Sequence, residues 1–172
     1  LTRLVNQLLD ISRIEAGGFR IEVSDVKLAE LLASVQRTFE ALARQKRIQF
    51  SVEVDDSAPV LLAADGDRLR SEVLGNLLSN AFKFTPRNGR IRMLAGTADG
   101  GIGIAVSDTG VGVPPDKLPR IFEKFFQVEN DAQPRSVGSG LGLAISREIV
   151  DAHGGTISAE SRVGKGSTIR VF

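Results

Sequence analysis

The chain has 172 residues, 42% hydrophobic and 25% charged, with 22 basic against 21 acidic side chains and no cysteine. A composition of this kind belongs to a globular domain with a full core and excludes disordered, collagen-like and disulfide-stapled classes. The net charge of +1 leaves no electrostatic footprint for nucleic acid or an anionic membrane, and thiolate metal sites and cysteine nucleophiles are ruled out. No apolar run reaches the roughly 20 residues that a membrane helix needs, and the start shows no secretory leader pattern. The chain opens at Leu1, inside a helical pattern, so it is expected to be a piece of a longer protein whose membrane segment, if any, lies elsewhere.

Leu1, Leu4, Leu8 and Ile11 recur at the three-four spacing of a coiled-coil seam, with Val5 alongside. Ala16-Gly17-Gly18 ends the pattern. This is either an amphipathic helix packed on its own domain or the last turns of a dimerisation helix, and the second reading is favoured. A second helix is expected from Val26 to Arg44, with Leu28, Leu31, Leu32, Val35, Phe39 and Leu42 on one face and Ser24 or Asp25 as its cap. Ile48, Phe50, Val52 and Val54 alternate with polar residues as a half-buried strand does. After the turn at Asp55-Asp56-Ser57-Ala58-Pro59, Val60 to Leu62 form a short strand.

A third helix is expected from Asp67 to Phe84, stopped by Thr85-Pro86. Strands follow at Arg90 to Ala95 and Ile102 to Ser107, joined through Asp99-Gly100-Gly101. Residues 108–140 are rich in Gly, Pro and polar types, and connections of that length in compact domains tend to be functional lids. A fourth helix from Gly142 to Ala152 precedes strands at Thr156 to Glu160 and Thr168 to Phe172, linked by Gly164-Lys165-Gly166. The whole is an α+β fold, a two-layer sandwich of a mixed sheet packed on helices.

Glu72, Asn76, Asn80 and Lys83 fall within a sector of about 80° on the third helix at 100° per residue. The opposite side carries Val73, Leu74, Leu77, Leu78, Ala81 and Phe84. A solvated face is the plain alternative. Against it, asparagine is a poor helix former, and two of them one turn apart suit a hydrated cation or phosphate oxygens; magnesium takes oxygen ligands and keeps several waters. Asp108-Thr109-Gly110-Val111-Gly112 follows a strand directly. It is either a tight Asp-Gly turn or a place where the backbone approaches a ligand and the carboxylate accepts from an exocyclic amine such as that of adenine. Gly138-Ser139-Gly140-Leu141-Gly142-Leu143 opens a helix, where exposed N–H groups and the helix dipole favour an anion; a flexible hinge is the alternative. Phe122-Glu123-Lys124-Phe125-Phe126 reads as buried loop anchors, or as the pin of a mobile lid with Lys124 turned toward phosphate.

Taken together and in order, these segments resemble the ATP-binding domain of sensor histidine kinases, of the Bergerat-fold superfamily. Glu72-x-x-x-Asn76 through Pro86 is similar to its N box, Asp108 to Gly112 to its G1 box, Ile121 to Phe126 to its F box, and Gly138 to Ile145 to its G2 box. Leu9 to Gly17 is similar to the end of the second dimerisation helix. The resemblance divides the chain into residues 1–18, the end of a dimerisation and histidine-phosphotransfer helix with its linker, and residues 19–172, the catalytic domain. It implies ATP and Mg2+ as cofactors, with Asn76 ligating magnesium and Glu72 and Asn80 supporting the ion and phosphates. It implies Lys83 on phosphate, Asp108 on the adenine amino group, and Gly110 and Gly112 shaping that pocket. Gly138, Gly140 and Gly142, with Ser139 and Leu141 between them, are implied to hinge the lid and position the phosphates.

The resemblance also implies transfer of the γ-phosphoryl group to a histidine on a dimerisation domain, then to an aspartate of a response-regulator receiver domain. The implied setting is a cytoplasmic domain of a membrane-anchored, homodimeric sensor; the present piece is expected to be mostly monomeric, because a coiled coil of about two heptads is marginal in water. The single histidine, His153, lies in Ala152-His153-Gly154-Gly155, a position that matches a structural turn of the family and not the phosphoacceptor. Ser139 stands where threonine is common. Other readings are an ATP-driven conformational machine of the gyrase, Hsp90 and mismatch-repair group, a serine kinase of the anti-sigma-factor type, and a non-catalytic interaction module. The opening helix and the phenylalanine cluster weigh against the first, the opening helix against the second, and the intact motifs against the third.

Overall fold

The computed structural model describes residues 2–17, 19–128 and 138–172. A five-stranded sheet in the order β2-β4-β5-β7-β6 forms one layer, from β2 (Gln49–Val54), β4 (Arg90–Ala98), β5 (Gly101–Asp108), β6 (Ile157–Arg162) and β7 (Gly166–Val171). β2 runs parallel to β4, and every other pair in this sheet is antiparallel. The helical layer holds α2 (Leu28–Lys46), a long helix in three consecutive pieces, and α5 (Gly142–Ala152). Those pieces are α3 (Gly66–Arg68), a π-helical segment (Leu69–Leu74) and α4 (Gly75–Phe84). The two-layer α+β sandwich expected from the sequence is the one observed.

Alternation drives the sheet: Ile91, Met93 and Ala95 of β4 are buried between exposed Arg90 and Arg92, which points one face at the helices. Leu28, Leu31, Leu32 and Val35 of α2 meet that face. Phe82 of α4 stacks on Phe39 of α2 at 5.5 Å and meets the edge of Phe50 of β2 at 5.4 Å. α2 ends at Arg47, which adopts a left-handed conformation with its N–H on the carbonyls of Ala43 and Arg44.

Three expectations need correction. Ser24 and Asp25 do not cap α2, which starts at Leu28 after an N-cap Lys27 that makes no side-chain cap bond. Ser24–Lys27 is instead a strand, β1, paired antiparallel with β3 (Leu61–Ala64) in a separate two-stranded ribbon. The backbone ladder outweighs the cap, because it satisfies several main-chain groups where a cap satisfies one or two. β3 itself lies slightly later than expected, over Leu61–Ala64. The third correction is the π-helical stretch, where the Gly75 N–H reaches back five residues to the Arg70 carbonyl.

α1 (Thr2–Glu15) lies against α5. Ile11 is buried in the common core, while Leu4, Val5, Leu8 and Leu9 stay exposed. Leu1 and Gly18 fall outside the described residues, as do residues 129–137 of the expected lid.

Candidate functional site: a cleft between the long helix and the glycine-rich segment

Asn76 is 5% exposed, so its amide must be satisfied from within. Its Nδ2 donates to the Glu72 carbonyl, to the Gly142 carbonyl at 3.0 Å and to Ser146 Oγ at 3.4 Å. Ser146, fully buried, donates its hydroxyl toward the same two carbonyls, at 2.7 Å to Glu72 and 2.9 Å to Gly142. The wide π-helical turn thus offers the Glu72 carbonyl to side-chain donors, and the start of α5 is fastened to the long helix. Oδ1 of Asn76 lies 3.4 Å from where a Cβ on Gly142 would sit. Gly142 keeps the space beside that oxygen open.

Asp108 ends β5 and is half-buried. Its carboxylate accepts from the Gly110 N–H at 2.7 Å and from the Ser167 N–H. Burial pushes its pKa up, and these two N–H groups oppose that. The Asp-Gly turn is therefore present, but in a half-buried setting that a solvent turn lacks. Gly112 sits at φ +72, and a Cβ there would lie 2.1 Å from the Arg162 carbonyl, so this position accepts glycine alone. Val111 bonds both ends of the site: its N–H reaches the Phe84 carbonyl at 3.3 Å, and its carbonyl takes the Gly164 N–H at 2.8 Å.

The glycine-rich and phenylalanine segments are tied to each other. Phe125 N–H donates to the Gly140 carbonyl at 2.9 Å, and Gln127 Nε2 to the Gly138 carbonyl at 2.6 Å. Ser139 Oγ accepts from the Leu141 N–H at 3.2 Å and donates to Gln7 Oε1 of α1 at 2.8 Å. Leu141 is fully buried, an apolar anchor for the segment. Lys83 Nζ lies 3.2 Å from where a Cβ on Gly138 would sit, and burial draws its pKa down. Lys124 pairs with Glu15 of α1 at 2.8 Å. Asn80 is half-buried one turn beyond Asn76.

Glu72 and Asn76 line a cavity of about 410 Å³ together with Ser71, Ile145 and the α1 side chains Asn6, Gln7 and Asp10. Burial raises the pKa of Glu72, against the opposing pull of Arg68, and Asp10 and Asp65 raise it further. A second hollow of about 430 Å³ lies between Leu42, Gln45, Lys46, Thr85, Pro86 and Arg87. It holds no carboxylate, and Lys46 there is committed to the Phe82 carbonyl at 2.6 Å, so the first is the chemically equipped one.

Sequence reasoning missed Ser146, Arg68, Gln7 and Ser167. Arg68 was findable, since it precedes Glu72 by four residues on the same helix. Ser146 and Gln7 act across 70 and 132 residues, with no local signal.

The model of the family described as Histidine kinase-, DNA gyrase B-, and HSP90-like ATPase matches residues 64–172. Hybrid signal transduction histidine kinase D of Dictyostelium discoideum is 42% identical over 163 residues, covering 92% of this chain and 10% of that protein. The sensory/regulatory protein RpfC of Xanthomonas campestris pv. campestris is 40% identical over 172 residues, covering 97% of this chain and 24% of that protein. This chain thus spans between a tenth and a quarter of the length of these relatives. Among solved structures, full-length ShkA in complex with AMPPNP superposes with a TM-score of 0.85 at 34% identity, over 98% of this chain and 34% of that one. The catalytic domain of the histidine kinase ThkA gives 0.74 at 31% identity, over 87% of this chain and 93% of that one. The chain belongs to the histidine kinase-, DNA gyrase B- and HSP90-like ATPase family, among the catalytic domains of histidine kinases.

Proposed function

We propose that this is the ATP-binding catalytic domain of a two-component sensor histidine kinase. It binds Mg-ATP and gives the γ-phosphoryl group to a histidine on a dimerisation domain of the same protein, for onward transfer to a response-regulator aspartate. The observation that carries the reading is the lock between Asn76 and the Gly142 carbonyl, which brings the polar helix face and the glycine-rich segment to one cleft. The relatives lend the chemistry: ShkA is described with AMPPNP bound, and ThkA in complex with the response regulator TrrA.

In this reading Asp108 accepts from the adenine amino group, and Gly110 and Gly112 shape the pocket around it. Lys83 sits at the phosphates beside Gly138. Lys124 joins it by leaving Glu15. Ser139, Gly140, Leu141 and Gly142 carry and anchor the hinge of the lid. Asn76 Oδ1 and the Glu72 carboxylate form an oxygen donor set that suits a hard divalent cation; Asn76 would hold magnesium, with Glu72 and Asn80 supporting its shell. When bound, the ion neutralises charge on the phosphates. The chain's own task is then to position the nucleotide and exclude water, since phosphoryl transfer asks little covalent chemistry of the protein. The histidine nitrogen forms the new P–N bond as the bond from Pγ to the ADP oxygen breaks.

The acceptor is not His153. Its Nδ1 faces the Ile149 carbonyl at 2.7 Å and its Nε2 accepts the Asp65 N–H at 2.9 Å, so both ring nitrogens are in structural use. Residues 1–18 are the end of the dimerisation helix and its linker, and residues 19–172 the catalytic domain. The intact protein is a homodimer, with this domain on the cytoplasmic side of a membrane-anchored sensor. Among the described residues no helix is long and apolar enough to cross a membrane.

Calorimetric titration of Mg-ATP into the chain, with Asp108→Asn in parallel, tests the reading. Binding by the parent and its loss or marked weakening in the variant is the expected result. A folded parent that binds no nucleotide would leave a non-catalytic interaction module as the better description.

A further inference from the structure

The guanidinium of Arg68 stands where four separate parts of the chain meet. Its Nη1 lies 3.2 Å from both Glu72 carboxylate oxygens and 3.9 Å from Asp10 Oδ1 of α1. Its Nε lies 3.8 Å from Asp65 Oδ2, and its face is covered by the Phe19 ring at 4.5 Å. Asp65 in turn caps the long helix through the Arg68 N–H at 3.1 Å and takes the Glu22 N–H at 2.9 Å. Asp10 lies in α1, and Phe19 and Glu22 lie in the segment that leads from α1 to β1. One cation therefore holds three carboxylates, is only 22% exposed, and is roofed by an aromatic ring from the segment after α1.

We propose that Arg68 is a positioning residue for Glu72 whose hold depends on α1 and the segment after it, so that the seating of Asp10 and Phe19 is relayed to the metal side of the nucleotide cleft. The inference rests on the role assigned to Glu72 above. The geometry gives the relay its direction. A half-buried carboxylate is held to one orientation by a fixed partner, and Arg68 is the cation that the described contacts place on both Glu72 oxygens. The guanidinium fork keeps that orientation only while its own plane is fixed. Phe19 covers the plane and Asp10 and Asp65 flank it, so withdrawal of α1 and the segment after it removes the roof and one flank together. Arg68 is then free to rotate toward Asp65, and Glu72 loses its fixed partner.

The test compares affinities for ATP with Mg2+ and for ATP with a chelator, by calorimetry, in the parent, Glu72→Gln, Arg68→Ala, Arg68→Lys and Phe19→Ala. Arg68→Ala is expected to lower Mg-ATP affinity about tenfold, the size of one charge-assisted hydrogen bond, with metal-free ATP affinity unchanged. Arg68→Lys, which keeps charge but not the fork, falls between. Phe19→Ala, which leaves Arg68 in place, loses about two- to fivefold, as a partly exposed cation–π contact would. None of the three changes lowers affinity further in the Glu72→Gln background. In the nucleotide-free protein, the Arg68 Nε–H resonance shifts on Phe19→Ala and again on Glu72→Gln.

Equal loss of both affinities in Arg68→Ala would make Arg68 a structural residue only and overturn the inference. So would an unchanged ratio in Arg68→Ala and Phe19→Ala alongside a lowered ratio in Glu72→Gln. An unchanged ratio in Glu72→Gln itself would remove the assignment of Glu72 first, and the relay with it, while leaving nucleotide binding intact.

Discussion

Asn76 has two demands on it, and the structure separates them by substitution. Asn76→Ala deletes the Nδ2 donor to the Glu72 and Gly142 carbonyls, but Ser146 Oγ still reaches both, at 2.7 and 2.9 Å. The cost is therefore that of lost hydrogen bonds with partial replacement, about 1–3 kcal/mol. Asn76→Asp is nearly isosteric and yet worse. It puts an anionic oxygen where the amide nitrogen stood, against two carbonyl oxygens, in a site only 5% exposed. An uncompensated buried charge costs about 3–5 kcal/mol. At this chain length each kcal/mol moves Tm by about 2–4 °C, so Asp is expected to melt about 4–8 °C below Ala. Urea and thermal unfolding with a chelator present, at neutral pH, measure the difference without metal. An Asp variant as stable as the Ala variant would refute the reasoning, because the amide would then present its oxygen and not its nitrogen to Gly142 and Ser146.

Asp108 gives a paired prediction with opposite signs. Its folded pKa is raised above the ordinary 3.8 by burial, so its stabilising contribution is full below the unfolded value and is lost as pH rises through the folded one. Stability of Asp108→Asn relative to the parent should therefore climb with pH across that window, while parent affinity for ATP climbs over the same window as the carboxylate ionises; melting and calorimetry at stepped pH check both. Gly112→Ala should cost more than the few tenths of a kcal/mol of an ordinary surface change, since the left-handed φ and the Arg162 carbonyl both oppose a Cβ; urea unfolding reads it. Phe82→Ala removes the ring that Phe39 and Phe50 pack on and should cost about 3–5 kcal/mol, seen as a lower urea midpoint with an unchanged m value.

The parts legible in the sequence were those whose cause is local. The alternation of β4, the apolar face of α2 and the stop at Thr85-Pro86 each follow from residues within one element. The polar stripe Glu72, Asn76, Asn80 and Lys83 was legible because helical periodicity puts it on one face. What escaped depends on distant partners. β1 looks like a cap sequence until β3 is placed beside it. The π-helical turn at Leu69–Leu74 accompanies acceptance by the Glu72 carbonyl of a hydroxyl from Ser146, 74 residues away. Lys124 carries no sequence sign of its pairing with Glu15 across 109 residues.

α1 carries two surfaces that need not compete. One bears Gln7, Asp10, Ile11 and Glu15, which meet Ser139, Arg68, the core and Lys124. The other bears Leu4, Val5, Leu8 and Leu9, exposed in the single chain. A helix of 14 residues is marginal alone in water, so its helicity here depends on the inward contacts. A partner helix packed on the outward residues would leave Gln7 and Asp10 where they are, while Glu15 shares the face of Leu4 and Leu8. Under the proposed function, dimerisation through α1 and the seating of α1 on the nucleotide cleft are then compatible states of one helix. A signal that reaches the cleft would have to rotate or lift α1, because association through its outer face leaves the inner contacts standing. The contacts most sensitive to such a rotation are the longest-armed ones, Glu15 to Lys124 and Asp10 to Arg68. These join α1 to the phenylalanine segment and to Glu72, the two sides of the cleft that closure on a nucleotide has to bring together.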